Sequence, residues 1–207
     1  MDEGCDEVVR RATFALMELI TWLGEDLAGL RSRIRTGVVD AVPAERWHEV
    51  ADGGGSSIAH LLLHLARHHD LALNAAIRGN APVFANHREA LGLGGAGASA
   101  GLGEREDPAV TAAASPEAIA RFLVDVFDST ERWLRDDGRR LDLDVVPPTA
   151  DRLGELAGLG RDEAGWLFDM WRDRPAWWVL QWPVLGHGHA HVGEAMSVRN
   201  RMGLGRF

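Results

Sequence analysis

Apolar residues recur at helical spacing through four long stretches of this chain, and almost nothing in it alternates as a strand would. In the first stretch, residues 7–35, the apolar positions are Val8, Phe14, Leu16, Leu19, Trp22, Leu23, Leu27, Leu30 and Ile34, with arginines and acids opposite. Gly24 weakens the pattern locally, and Gly37, Pro43 and the run Gly53, Gly54, Gly55 then break it. Ser56 or Ser57 is placed to cap a second helix over about 57–78, closed by Gly79 with Pro82 shortly beyond. The SPEA motif at 115–118 opens a third helix, over about 116–137, that stops at Gly138. Shorter helices are expected over 149–157 and 161–173, and a last long one from near Pro183 to about Met202, stopped by Gly203. Only LDLDVV at 141–146 reads as a strand. Residues 86–108 are rich in Gly, Ala and Ser without periodicity, which predicts a long mobile loop. Four long amphipathic helices with one long crossover loop make an all-α four-helix bundle, a single domain over residues 1–207.

With 46% hydrophobic residues the chain can bury a substantial core. Its net charge of −9 and its interspersed arginines argue against nucleic acid as a partner. The single cysteine, Cys5, sits near an end expected to fray; it forms no internal disulfide and excludes a thiolate-rich zinc site. The opening MDEGCDEVVR lacks the pattern of a signal peptide, and no run of 18 apolar residues predicts a membrane span. A cytoplasmic protein acting on a small molecule is the expectation.

Seven of the nine histidines fall in two runs more than a hundred residues apart, HLLLHLARHH at 60–69 and GHGHAH at 186–191. On a helix, residues four apart share a face and residues two apart do not. His187 and His191 therefore form a pair able to give two imidazole nitrogens to one ion, and His189 points away. In the other run His60, His64 and His68 make a slowly drifting row. His68 lies near the centre of the apolar face, His64 at its edge and His60 further out, and periodicity does not choose among them. The plainer reading is that both runs are polar features of amphipathic helices.

Two segments carry a family resemblance. SSIAHLLLHLARHHDLALNAAIRG at 56–79 resembles the second-helix pattern of the DinB-like superfamily, and GHGHAHVGEAMSVRNRMG at 186–203 resembles its last-helix pattern. The superfamily includes mycothiol- and bacillithiol-dependent S-transferases and maleylpyruvate isomerases. The resemblance covers most of the chain and is weakest over 86–160. It implies a four-helix bundle in which His64, His187 and His191 hold a divalent metal with one position open. It also makes His60 a neighbour of the site and His68 a lining or interior residue; the extra histidines, His69 and His189 among them, depart from the pattern.

The implied chemistry is activation of a low-molecular-weight thiol by the metal, for S-transfer or isomerisation. All-nitrogen ligation suits zinc, nickel, iron or copper rather than magnesium or calcium. An arginine-only, Ala- and Gly-rich composition suits a GC-rich genome, where mycothiol is the thiol to expect. Glu194, three residues after His191, is a weak acid/base candidate that reads more simply as a carboxylate outside the ligand set. Asp70 is a remote candidate to buttress a histidine. Residues 166–182 hold five of the eight tryptophans, read first as core or homodimer packing and second as an aromatic wall of a substrate pocket. The glycines of 91–103 lack a phosphate-cradle motif and read as a flexible loop. Beside the enzyme stand two alternatives: a non-catalytic, metal-binding stress-response bundle, and a bundle whose histidines bind nothing.

Overall fold

The computed structural model describes the backbone of residues 3–205 and the side chains of residues 19–205. Cys5, Val8, Phe14 and Leu16 therefore lie outside the described side chains. Helix α1 spans Glu3–Ile34 and buries Ile20, Leu23, Leu27, Leu30 and Ile34, spaced three and four apart. Two positions assigned to this apolar face do not belong to it: Leu19 is 41% exposed and Trp22 55%. Ile20, between them, carries the stripe instead. Gly37 does not break the helix either. A wider turn, Arg35–Val39, prolongs it, with Asp40 N–H donating to Arg35 O five residues back.

Helix α2, Ile58–Asp70, is buried along its whole length. Ser57 caps it, its hydroxyl accepting from His60 N–H at 3.1 Å. A second wide turn, Leu71–Ile77, carries it toward Gly79. Two short helices follow, α3 at Phe84–His87 and α4 at Pro108–Ala113. Helix α5, Pro116–Asp136, starts from Ser115, whose hydroxyl accepts from Ala118 N–H. Helices α6, Thr149–Ala157, and α7, Arg161–Met170, are short; α7 stops three residues before its expected end.

Among the described residues there is no strand, and LDLDVV has another use. The carbonyls of Leu143 and Val145 accept from the N–H groups of Trp177 and Ala176, satisfying donors at the start of α8, Ala176–Val179. The last rod thus begins before Pro183, not at it. A wide turn, Leu180–Gly186, absorbs the proline, which has no N–H to give the helical ladder, and leads into α9, His187–Arg199. The chain leaves the helical rod at Gly203.

Helices α1, α9, α2 and α5 pack as a four-sided bundle in that order around the ring, with α2 against both α9 and α5. Gly188 sets how closely α9 meets α1: a Cβ there would lie 2.6 Å from a Leu30 methyl carbon. Among the described residues no helix is long and apolar enough to cross a membrane.

The crossover departs most from expectation. It is not a free loop, and Gly101 lets it press against α2. Leu91, Leu93, Ala100 and Leu102 are buried, and Gly101, at φ +76°, sits so close that a Cβ would meet the Leu63 side chain at 3.2 Å. Arg67 of α2, 1% exposed, donates to Ala98 O at 2.6 Å and Ala100 O at 3.1 Å and stacks on Phe84 at 3.5 Å. Glu106 fixes the far end, accepting from Ser57 N–H and Oγ at 2.7 Å each. The loop turns carbonyls toward α2, the opposite polarity to a phosphate cradle.

Candidate metal centre

Because α2 packs against α9, His64 meets the His187/His191 pair. His187 Nε2 lies 3.1 Å from His64 Nε2 and 3.0 Å from His191 Nε2. Ions bound at about 2.0–2.1 Å by tetrahedral nitrogens hold those nitrogens roughly 3.3 Å apart, so the spacing is close to what one ion requires.

The partners of the other ring nitrogens set the tautomers. His64 Nδ1 is 3.2 Å from Gly101 O, and a carbonyl only accepts, so the proton is on Nδ1 and Nε2 is bare. His191 Nδ1 is 3.3 Å from a Glu194 carboxylate oxygen, which fixes the same tautomer. His187 Nε2 carries at most one proton and can satisfy only one of these two lone pairs. A single cation satisfies all three. The donor set therefore fits a divalent ion of the nitrogen-preferring kind.

Burial keeps His64 and His187 neutral. It pushes His64 down to about 3, helped by the neighbouring His187 and His191, and it pushes His187 to about 3, helped by His191. Their lone pairs are thus free at neutral pH.

His68 packs within 4.5 Å of both His64 and His187, ring centre to ring centre, yet its Nε2 faces Leu102 O at 3.0 Å and donates there. Burial holds it well below its ordinary value of 6.5. It lines the cluster. His60 stacks on His64 at 5.5 Å, its proton affinity also lowered by burial. Glu194 stands on the Nδ1 side of His191, away from the point where the three Nε2 atoms converge, and so orients that ring. Asp70 buttresses no histidine: it accepts from Asn74 Nδ2 and the N–H groups of Val83 and Phe84.

His189 points to α1, with Nε2 3.3 Å from Asp26 and Nδ1 3.3 Å from Arg33. His69 faces α5. Its Nε2 donates to Thr130 Oγ1 at 2.8 Å, since the Thr130 proton goes to Val126 O. Burial alone pushes His69 to about 3. The unfolded chain takes up this proton near pH 6.5 and the folded one only near 3, so the associated stability is complete above pH 6.5 and is lost as pH falls. Each such histidine contributes about 1.4 kcal/mol per pH unit in that window. The chelator-treated protein is expected to lose denaturant resistance steeply from pH 6.5 to 4.5, with a shallower slope for His69→Gln; a flat profile would contradict the burial of these rings as neutral species.

Glu104 joins the cluster without any signal in the sequence to mark it. It sits beyond the glycines of the crossover, its carboxylate 3.8 Å from His64 Nε2, and the four donor atoms of His64, Glu104, His187 and His191 all lie within 4.8 Å of one another. Nothing in the local sequence separates it from Glu106 or Asp107. Aromatic rings flank the cluster: Trp182 is 6.4 Å from His187, and Trp166 and Trp171 are 5.8 and 6.4 Å from His68. Trp171 is core, whereas Trp166 and Trp182 are about two-fifths exposed beside the histidines. A cavity of about 240 Å³ adjoins Trp166, bounded also by His60, Gly101–Gly103, Arg105 and Glu163.

A family model described as the DinB superfamily matches residues 30–195. No curated protein and no solved structure gives a significant match. The matched span includes both histidine runs and the crossover between them.

Proposed function

Since the chain belongs to the DinB superfamily, whose members bind metals, we propose that His64, His187 and His191 hold a divalent ion that activates a low-molecular-weight thiol for S-transfer or a related isomerisation. The observation that carries this reading is the convergence of three Nε2 atoms, two of them bare by the hydrogen bonds on their far sides. A divalent ion there supplies the positive charge that lowers the pKa of a thiol or water at its open position.

The protein's own part is orientation and enclosure. Gly101 O and Glu194 hold two of the rings in the tautomer that presents Nε2 inward. Burial of His64 and His187 keeps solvent protons from competing for those nitrogens. Trp166, the cavity beside it and Trp182 give an apolar substrate a place beside the cluster, with Arg105 and Glu163 as polar contacts. Zinc, nickel and iron all suit the donors, and mycothiol is the thiol that the composition favours.

The test is thiol consumption by the metal-loaded protein against a panel of electrophiles, maleyl compounds included. Metal-dependent loss of thiol, abolished in His64→Ala, is the expected result. Stoichiometric metal with no thiol consumed by any electrophile would make the protein a metal-binding bundle without catalysis.

A further inference from the structure

We infer that Glu104 is a displaceable fourth donor, carried on the crossover, that closes the metal position until an incoming ligand takes its place. The inference rests on the metal-centre reading above and goes beyond the three-histidine set. Of the acids at the end of the crossover, Glu106 is held by Ser57, and Asp107 caps α4 by accepting from Ala109 N–H at 2.9 Å. Glu104 is the one left facing the histidines, 3.8 Å from His64 Nε2 and inside the same 4.8 Å group of donor atoms.

The backbone around it is built for that position. Gly101 O and Leu102 O bond His64 and His68, and Arg67 grips Ala98 O and Ala100 O just upstream. The loop is thus pinned on both sides of Glu104, by α2 through Arg67 and by Ser57 through Glu106. Its side chain is nonetheless 67% exposed. A carboxylate reaching in from solvent on a pinned backbone can leave by rotating its own side chain, without moving the helices that carry the histidines. The rings of His64 and His187 are buried between packed helices, and that of His191 is held against His187 and Glu194, so none has such freedom.

Closure by Glu104 has two linked consequences. If the closed form outweighs the open one by a factor K, metal affinity is raised by 1 + K and the affinity of the loaded protein for an added ligand is lowered by the same 1 + K. Glu104→Ala removes both effects. With the closed form populated about ten to one, cobalt(II) affinity falls roughly tenfold and the affinity of the cobalt protein for imidazole rises roughly tenfold. Imidazole is the probe because it is neutral, so that loss of the glutamate charge by itself does not strengthen its binding.

Cobalt affinity is read by chelator competition, and imidazole binding by the change in the visible cobalt bands. The expected result is equal and opposite fold-changes in Glu104→Ala and none in Glu155→Ala, an exposed carboxylate on α6. Unchanged imidazole affinity in Glu104→Ala, with wild type binding cobalt normally, overturns the fourth-donor role alone. Failure of wild type to bind cobalt overturns the metal-centre reading itself.

Discussion

His187→Ala is expected to abolish stoichiometric binding of divalent metal, while His189→Ala, two residues along the same helix, leaves it intact. His187 is the ring whose Nε2 lies within 3.1 Å of both other histidines, so its removal dismantles the cluster at the centre. What remains is one bare nitrogen on α2 and one on α9, with no third imidazole between them. His189 has the same chemistry but faces Asp26 and Arg33 on α1. Plasma mass spectrometry after gel filtration reads the outcome, with chelator competition for residual affinity. An unchanged helical spectrum and melting curve for the metal-free variant separate loss of a ligand from loss of the fold. Metal retained by His187→Ala would show that the ion sits elsewhere.

The second large effect is expected at Arg67, which touches no ligand atom. Its guanidinium is buried, gives hydrogen bonds to two crossover carbonyls, and balances the buried Asp70 on the same helix. Arg67→Ala leaves those carbonyls without donors, leaves Asp70 without its neighbouring charge, and opens a cavity against Phe84. Removing one member of such a buried arrangement costs about 3–5 kcal/mol, which denaturant titration at pH 7.5 will measure. The variant is also expected to bind metal roughly 10–100-fold more weakly, because the crossover brings the Gly101 carbonyl that orients His64. A loss below about 1 kcal/mol would mean that Leu91, Leu93 and Leu102 hold the crossover by apolar burial alone.

The helices were legible because their signals are local. Ser57 and Ser115 cap where the pattern begins, and the apolar spacing of α1, α2 and α5 is read within a few turns. Failures arose where a distant partner decides the outcome. Trp22 has the right spacing for the core, yet it stays 55% exposed at the edge of a groove that it shares with Trp177 and Leu180. LDLDVV looks like a strand, yet its carbonyls serve the start of α8, more than thirty residues on. The glycines of the crossover suggest freedom, whereas Gly101 serves close approach to Leu63 and Arg67.

The candidate site divides in the same way. His187 and His191 are four apart on one helix, and spacing alone pairs them. Among His60, His64 and His68 spacing could not decide, since the deciding contacts are carbonyls 34 to 37 residues away: Leu102 O takes the Nε2 proton of His68, and Gly101 O takes the Nδ1 proton of His64. The family resemblance selected His64, and the structure brings that ring to the pair. Glu104 was beyond reach of either, because only the path of the crossover separates it from the two acids that follow.

The most direct measurement is a metal-edge X-ray absorption spectrum of the protein loaded with one equivalent of zinc. The expected result is three imidazole nitrogens at about 2.0–2.1 Å, with the outer-shell scattering of ordered rings and one further light donor. A first shell of oxygen donors without imidazole scattering would contradict a centre built from His64, His187 and His191.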